Sequence, residues 1–139
     1  MERIEVSDGR ELILLQRDEL RGPASGMLSA RAATCFVTAD VDANAIGEYV
    51  RQVEGLLTGH ACGFAVICGE HAERVHDELD SALEMREGET SVVTSWFRRE
   101  ELEDALDVFW NGLGASGRGG LIAIVGSQDD HVRARIRAM

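Results

Sequence analysis

The chain has 139 residues, 45% hydrophobic and 28% charged, which is the length of one domain and enough apolar side chain for a packed core. Acids outnumber bases 25 to 14, for a net charge of −11, and every base is an arginine. Without lysine there can be no Walker P-loop, no Schiff-base lysine and no phospho-receiver lysine. The acid excess also opposes nucleic acid or an anionic membrane as a direct partner, since both need a basic footprint.

No apolar run approaches the roughly 20 residues of a membrane helix. The opening MERIEVSDGR lacks the basic start and apolar stretch of a signal peptide, so a cytoplasmic protein is expected. Cys62 and Cys68 bracket an apolar stretch that spaces them about 20 Å apart as a strand, too far for a disulfide. Cys35 lies in another such stretch, and all three read as buried small hydrophobes.

In chain order, Arg3–Val6 and Glu11–Gln16 flank Ser7-Asp8-Gly9-Arg10, an Asp-Gly hairpin signal. Residues 17–31 are polar, rich in turn formers and hold the only proline, so they read as a surface loop. Ala33–Ala39 is a short β-rich apolar run. Asp42 suits an N-cap ahead of Ile46, Val50, Val53 and Leu57 at helical spacing. Ala61–Cys68 is the next strand, followed by a helix striped with Ala72, Val75, Leu79, Ala82 and Leu83. Ser91–Trp96 is a further strand, then comes a helix with Leu102, Leu106, Phe109 and Leu113 on one face. Leu121–Val125 is the last strand, and Asp129 or Asp130 caps a terminal helix.

Apolar strands without alternation are buried on both faces, which calls for helices on both sides and parallel pairing. The expected fold is one α/β domain over residues 1–139. It is a three-layer, mostly parallel, doubly wound sheet of flavodoxin-like or Rossmann-like type, with an N-terminal hairpin.

Gly112-Leu-Gly114-Ala-Ser-Gly117 matches the letters of the dinucleotide fingerprint. It follows a helix and precedes a strand, the reverse of what a pyrophosphate site needs, so it reads as a connection. His71 and His76 stand five apart, about 140° around a helix, and do not converge as metal ligands would. Glu70 with Arg74 and Arg74 with Glu78 are spaced as i, i+4 ion pairs. No Ser-His-acid or Cys-His set is legible, and neither metal nor cofactor is expected.

Ligands in open parallel sheets bind beyond the carboxyl ends of the strands. That rule singles out Thr38, Asp40, Gly69, Glu70, His71, Ser95, Trp96, Gly126 and Ser127. Trp96 either seals the core or walls a cleft. From Glu70 to Asp107 there are 13 acids and four arginines, a net of −9. If the strands add in one direction, the second and third helices of the alternating unit share a face and present a continuous acidic surface. Glu100, Glu101, Glu103 and Asp104 would be its docking residues.

Two resemblances add to these readings. Asp40-Val41-Asp42 at a strand end is similar to the first motif of haloacid-dehalogenase phosphatases, which implies a nucleophile, a general acid and a magnesium ion. Thr94, Ser95, Asp129 and Asp130 loosely echo later motifs, but Asn44 replaces the usual threonine and the lysine is missing. The stretch Phe64–Phe109 resembles an uncharacterised bacterial domain family of unknown function. The shared elements are Asp40, Gly69, Glu73-Arg74-Val75-His76-Asp77, Thr94-Ser95-Trp96, and Leu102, Ala105, Leu106 and Phe109. Ala39 stands where that pattern has tryptophan. The likeness draws Arg74 and His76 into the candidate pocket and brings no reaction with it.

The leading expectation is a non-enzymatic binding or regulatory protein for a basic protein partner, such as an immunity-type or defence-associated protein, with self-association left open. A small magnesium-dependent phosphoryl or nucleotide hydrolase using Asp40 and Asp42 is the alternative. A small-ligand sensor with a cleft between Asp40, His71 and Trp96 is a third.

Overall fold

The computed structural model describes residues 1–6, 9–21, 32–59, 62–85, 92–111, 119–126 and 129–138. The chain opens with the expected hairpin. Strand β1 (Glu2–Glu5) runs antiparallel to β2 (Glu11–Gln16), with Glu2 opposite Leu14 and Glu5 opposite Glu11. Gly9 turns the chain at φ +90°, a conformation other residues rarely adopt, and its N–H donates to the Val6 carbonyl at 2.8 Å. Ser7 and Asp8 lie outside the described residues.

Where the sequence reads as a loop, Arg17–Arg21 forms a 3₁₀ helix. The Gln16 N–H donates to Glu19 Oε1 at 3.0 Å, closing the turn, and Leu20 packs onto the core. The remainder of that expected loop, and the glycine-rich 112–117 segment with Leu113, fall outside the described residues.

Strand β3 (Ala32–Thr38) leads through a 3₁₀ turn at Ala43–Ala45 into α1 (Ile46–Gly59). Then come β4 (Phe64–Cys68), α2 (Ala72–Glu84), β5 (Val93–Phe97), a 3₁₀ turn at Arg99–Glu101 and α3 (Leu102–Asn111). Strand β6 (Gly120–Val125) and α4 (Asp130–Arg137) complete the order. Among the described residues, six strands form one sheet in the order β1-β2-β6-β3-β4-β5, parallel throughout except at β1. This is the three-layer α/β architecture.

The order explains which helix goes where. From β3 through β4 to β5 the chain steps outward in one direction, so right-handed crossovers put α1 and α2 on one face. From β5 it returns across the sheet to insert β6 between β2 and β3, so α3 lies on the opposite face. The side chains agree. Cys35, Val37, Ala65 and Ile67 pack with Val53, Leu57, Val75 and Leu79 of α1 and α2. Their strand neighbours Phe36 and Val66 turn the other way, onto Leu106 and Phe109 of α3 and Val132 and Ile136 of α4. Phe36 and Phe109 meet with ring centroids 5.5 Å apart. Each such side chain taken from water contributes about 1.5–3 kcal/mol, and β4 and β6 are buried along their whole length.

Two sequence expectations are corrected here. The second and third helices do not share a face, because β6 reverses the direction in which strands are added. And β5 is not buried on both sides: it is the sheet's outer strand, with Val93 50% and Trp96 36% exposed. Among the described residues, no helix is long and apolar enough to cross a membrane.

Candidate functional site

Strands β3 and β6 are neighbours whose chains leave in opposite directions, β3 to α1 on one face and β6 to α4 on the other. That divergence opens a crevice at their carboxyl ends, where ligands bind in sheets of this type. A cleft of about 690 Å³ lies there. Its walls include Arg17 after β2, Asp40 and Asp42 after β3, Tyr49 on α1, Arg99 after β5 and Asp129 before α4.

Asp40 is the best-held of these groups. Its Oδ1 accepts the Glu70 backbone N–H at 2.8 Å and Arg99 Nη2 at 2.9 Å, which ties the ends of β3, β4 and β5 together. Gly69 makes this possible. It sits at φ +148°, and a Cβ there would lie 2.9–3.0 Å from the Ala39 backbone and 3.0 Å from Asp40 Oδ1. The His71 N–H donates to the Ala39 carbonyl at 3.2 Å, and Glu70 carries its carboxylate to 3.6 Å from Arg99. Glu70 is thus turned to Arg99, while Arg74 pairs with Glu78 at 3.3 Å. The exposed Arg99 guanidinium gains basicity from its hydrogen bond to Asp40 and from that carboxylate's charge.

The far side is built on Gly126. Its N–H donates to Asp129 Oδ2 at 3.0 Å and to Thr38 Oγ1 at 3.2 Å, and its carbonyl accepts from the Arg133 side chain at 3.1 Å. A Cβ on Gly126 would collide with Arg17 Nη2 and lie 2.7 Å from Asp129 Oδ2. The missing side chain is the space into which the guanidinium and the carboxylate both fit. Arg17 also lies 5.6 Å from the centroid of the Tyr49 ring. The Tyr49 hydroxyl donates to the Thr38 carbonyl at 2.7 Å, and burial pushes its ionisation upward.

Asp42 and Asp129 stand at helix N-cap positions, as the sequence suggests, but neither side chain makes a capping bond. Asp129 is 5% exposed and spends its carboxylate on Gly126 instead. Asp42 points into the cleft.

The structure therefore gathers Asp40, Gly69, Glu70 and His71 at one corner, and separates them from His76, Ser95 and Trp96. His76 stays within its helix, 3.1 Å from Asp77 and 3.4 Å from Asp80. Thr94 donates to Asp80 on the α2 side, and Ser95 Oγ is buried without a partner among the described residues. Trp96 neither seals the core nor walls the cleft; it lies on the open edge of β5. Of the residues that echo the phosphatase motifs, Asp40, Asp42 and Asp129 line the same cleft, whereas Thr94 is turned to Asp80. Among the described residues, no group of three or more His, Cys, Asp or Glu could hold a metal ion.

All three cysteines are buried and unpaired. Burial pushes the Cys62 and Cys68 thiols up to about 12 and raises Cys35 as well. These are protonated, unreactive groups at neutral pH.

Sequence reasoning missed Arg17, Tyr49 and Arg99. Arg17 follows β2, which reads as half of a hairpin; the parallel pairing of that strand with β6, Gln16 beside Val125, comes only from the tertiary order. Tyr49 does continue the helical stripe of Ile46, Val50 and Val53, so its burial was available. Arg99 carried no signal beyond being an arginine shortly after a strand.

No curated protein and no solved structure matches the chain. A family model described as a domain of unknown function (DUF7684) matches residues 13–112. That span runs from β2 to the end of α3, more than half the chain, and contains the whole Phe64–Phe109 stretch. The chain belongs to the DUF7684 family.

Proposed function

We propose that the chain is a non-enzymatic binding domain that captures a basic protein partner along the open edge of β5. The observation that carries this reading is the position of the acidic helices. Helices α2 and α3 lie on opposite faces of the sheet, yet both flank the same outer strand. The acid-rich region of the sequence thereby brackets one edge from above and below.

The edge itself is suited to pairing. Val93-Thr-Ser-Trp-Phe97 carries no charge, exposes Val93 and Trp96, and pairs only with β4 among the described residues. An unguarded edge of this kind accepts an added strand, with main-chain bonds giving affinity and neighbouring charge giving selectivity. The other edge is built differently. Strand β1 reads Glu-Arg-Ile-Glu, and ion pairs of Arg3 with Glu11 and Glu2 with Arg137 cover it.

Not every acid is available to a partner. Glu101 accepts the Arg98 backbone N–H at 2.9 Å, and Glu103 pairs with Arg135 at 2.7 Å. Glu100 and Asp104 are exposed and serve better as docking charges.

The test is affinity capture with the immobilised chain, compared with Glu100→Lys/Asp104→Lys and Val93→Lys/Trp96→Lys variants. Proteins of high isoelectric point should be retained by the parent chain, released by moderate salt, and lost by both variants while their folding is unchanged. Retention that is the same on all three surfaces overturns the reading.

A further inference from the structure

We propose that the cleft at the β3/β6 switch point binds a small zwitterion, its carboxylate on the Arg17 guanidinium and its ammonium group against Asp42 and Glu48. This site is separate from the β5 edge and does not depend on it.

The cleft has two poles. On the β2/β6 side stands Arg17, held against the Tyr49 ring and over Gly126, with no carboxylate partner among the described residues. Arg17 is only partly exposed, and a guanidinium offers five N–H donors in a planar fork suited to a carboxylate. Its platform is fixed, because the Tyr49 hydroxyl is tied to the Thr38 carbonyl. On the α1 side stand Asp42 and Glu48, both exposed and both without a hydrogen bond or ion pair from their side chains among the described residues.

Asp18, next to Arg17 in the chain, is a third exposed carboxylate without a hydrogen bond or ion pair from its side chain among the described residues, whereas two others are occupied. Asp40 is held by Arg99 and the Glu70 N–H, and Asp129 by the Gly126 N–H. Among the described residues a ligand therefore meets one unused guanidinium and three unused carboxylates, Asp18, Asp42 and Glu48, in a cleft of about 690 Å³, a volume ordinary for small-molecule sites.

Charge decides between ligand classes. Five carboxylates and two guanidinia line the cleft, so a simple anion meets a repelling field everywhere except at Arg17. A simple cation is drawn in but leaves the guanidinium, sheltered on its tyrosine, unanswered. A molecule carrying both charges, such as an amino acid, answers both poles.

The test uses the full chain and a defined panel: the twenty amino acids, β-alanine and 4-aminobutyrate. Propionate, butyrate, propylamine, butylamine and inorganic phosphate are the single-charge controls. At least one zwitterion should raise the thermal midpoint while the controls matched to it do not. Calorimetry with that zwitterion should show affinity falling tenfold or more in Arg17→Gln and, separately, in Asp42→Asn. Because Arg17→Gln also alters a buried neighbourhood, Glu48→Gln gives a second, exposed variant, for which at least a threefold loss is expected. A panel in which nothing binds overturns the proposal. So does stabilisation by propionate, phosphate or an amine equal to that by the zwitterion, or affinity indifferent to Asp42 and Glu48.

Discussion

Arg99 Nη2 reaches back across 59 positions to donate to Asp40 Oδ1 at 2.9 Å, the oxygen that also receives the Glu70 backbone N–H. One carboxylate oxygen thus joins the carboxyl ends of three adjacent strands. Asp40→Ala removes both bonds and should cost about 1–2 kcal/mol of stability. Asp40→Asn keeps a carbonyl oxygen in place and should cost less than half as much. Urea unfolding of the two variants separates the hydrogen bonds from the charge, and equal losses would show that the charge matters more than the acceptor.

Gly69 and Gly126 are both needed at strand ends, for different reasons. At Gly69 a side chain faces a φ of +148° and the Ala39 backbone, neither of which can yield. Gly69→Ala should cost about 2–4 kcal/mol. At Gly126 the obstacles are the movable end of Arg17 and the Asp129 carboxylate. Gly126→Ala should cost about 1–3 kcal/mol, and Arg17→Ala in the same chain should return part of it. A double-mutant cycle reads this directly, and additive losses would mean that the two residues do not compete for the space.

Much of this architecture was legible in the sequence, for identifiable physical reasons. Phe64–Cys68 and Gly120–Val125 are apolar at every position because helices cover both faces, and an unbroken apolar run records that fact locally. Val75 and Leu79 likewise record the buried stripe of α2. Strand order leaves no such mark. That β6 inserts between β2 and β3 is a long-range choice, and it decides both that α3 leaves the face of α2 and that Arg17 meets Gly126. The edge position of β5 was hidden for the same reason, since Val93 and Trp96 look like core until the strand is found to have one neighbour. Of the expected site, Asp40, Gly69, Glu70 and His71 came together because they follow adjacent strands. Ser95 and Trp96 did not, because they lie within a strand and not beyond its end.

The α3 face rests on Phe109, fully buried and in ring contact with Phe36. Phe109→Ala opens a cavity against the sheet and should cost about 3–5 kcal/mol. Phe109→Leu, which keeps most of the volume, should cost clearly less. Guanidinium unfolding of both variants checks this. Similar midpoints would indicate that the layer collapses to fill the space.

Alkaline pH should destabilise the chain. The folded state raises the thiols of Cys35, Cys62 and Cys68, the latter two to about 12, because burial disfavours the thiolate. In the unfolded chain these thiols ionise from about 8.5. Above that pH the unfolded state binds fewer protons than the native state, so unfolding becomes easier as pH rises. The stabilising contribution is complete below about pH 8.5 and is lost progressively towards pH 12. Each group adds a slope of up to about 1.4 kcal/mol per pH unit in that window. Tyr49, raised by burial, joins above about pH 10, where an unfolded tyrosine begins to ionise. Urea midpoints measured from pH 7.5 to 10.5 should therefore be flat at first and then fall. Cys62→Ala should make that fall shallower, whatever it does to the midpoint at pH 7.5. A slope unchanged by removing the thiol would show that Cys62 ionises alike in the folded and unfolded chain.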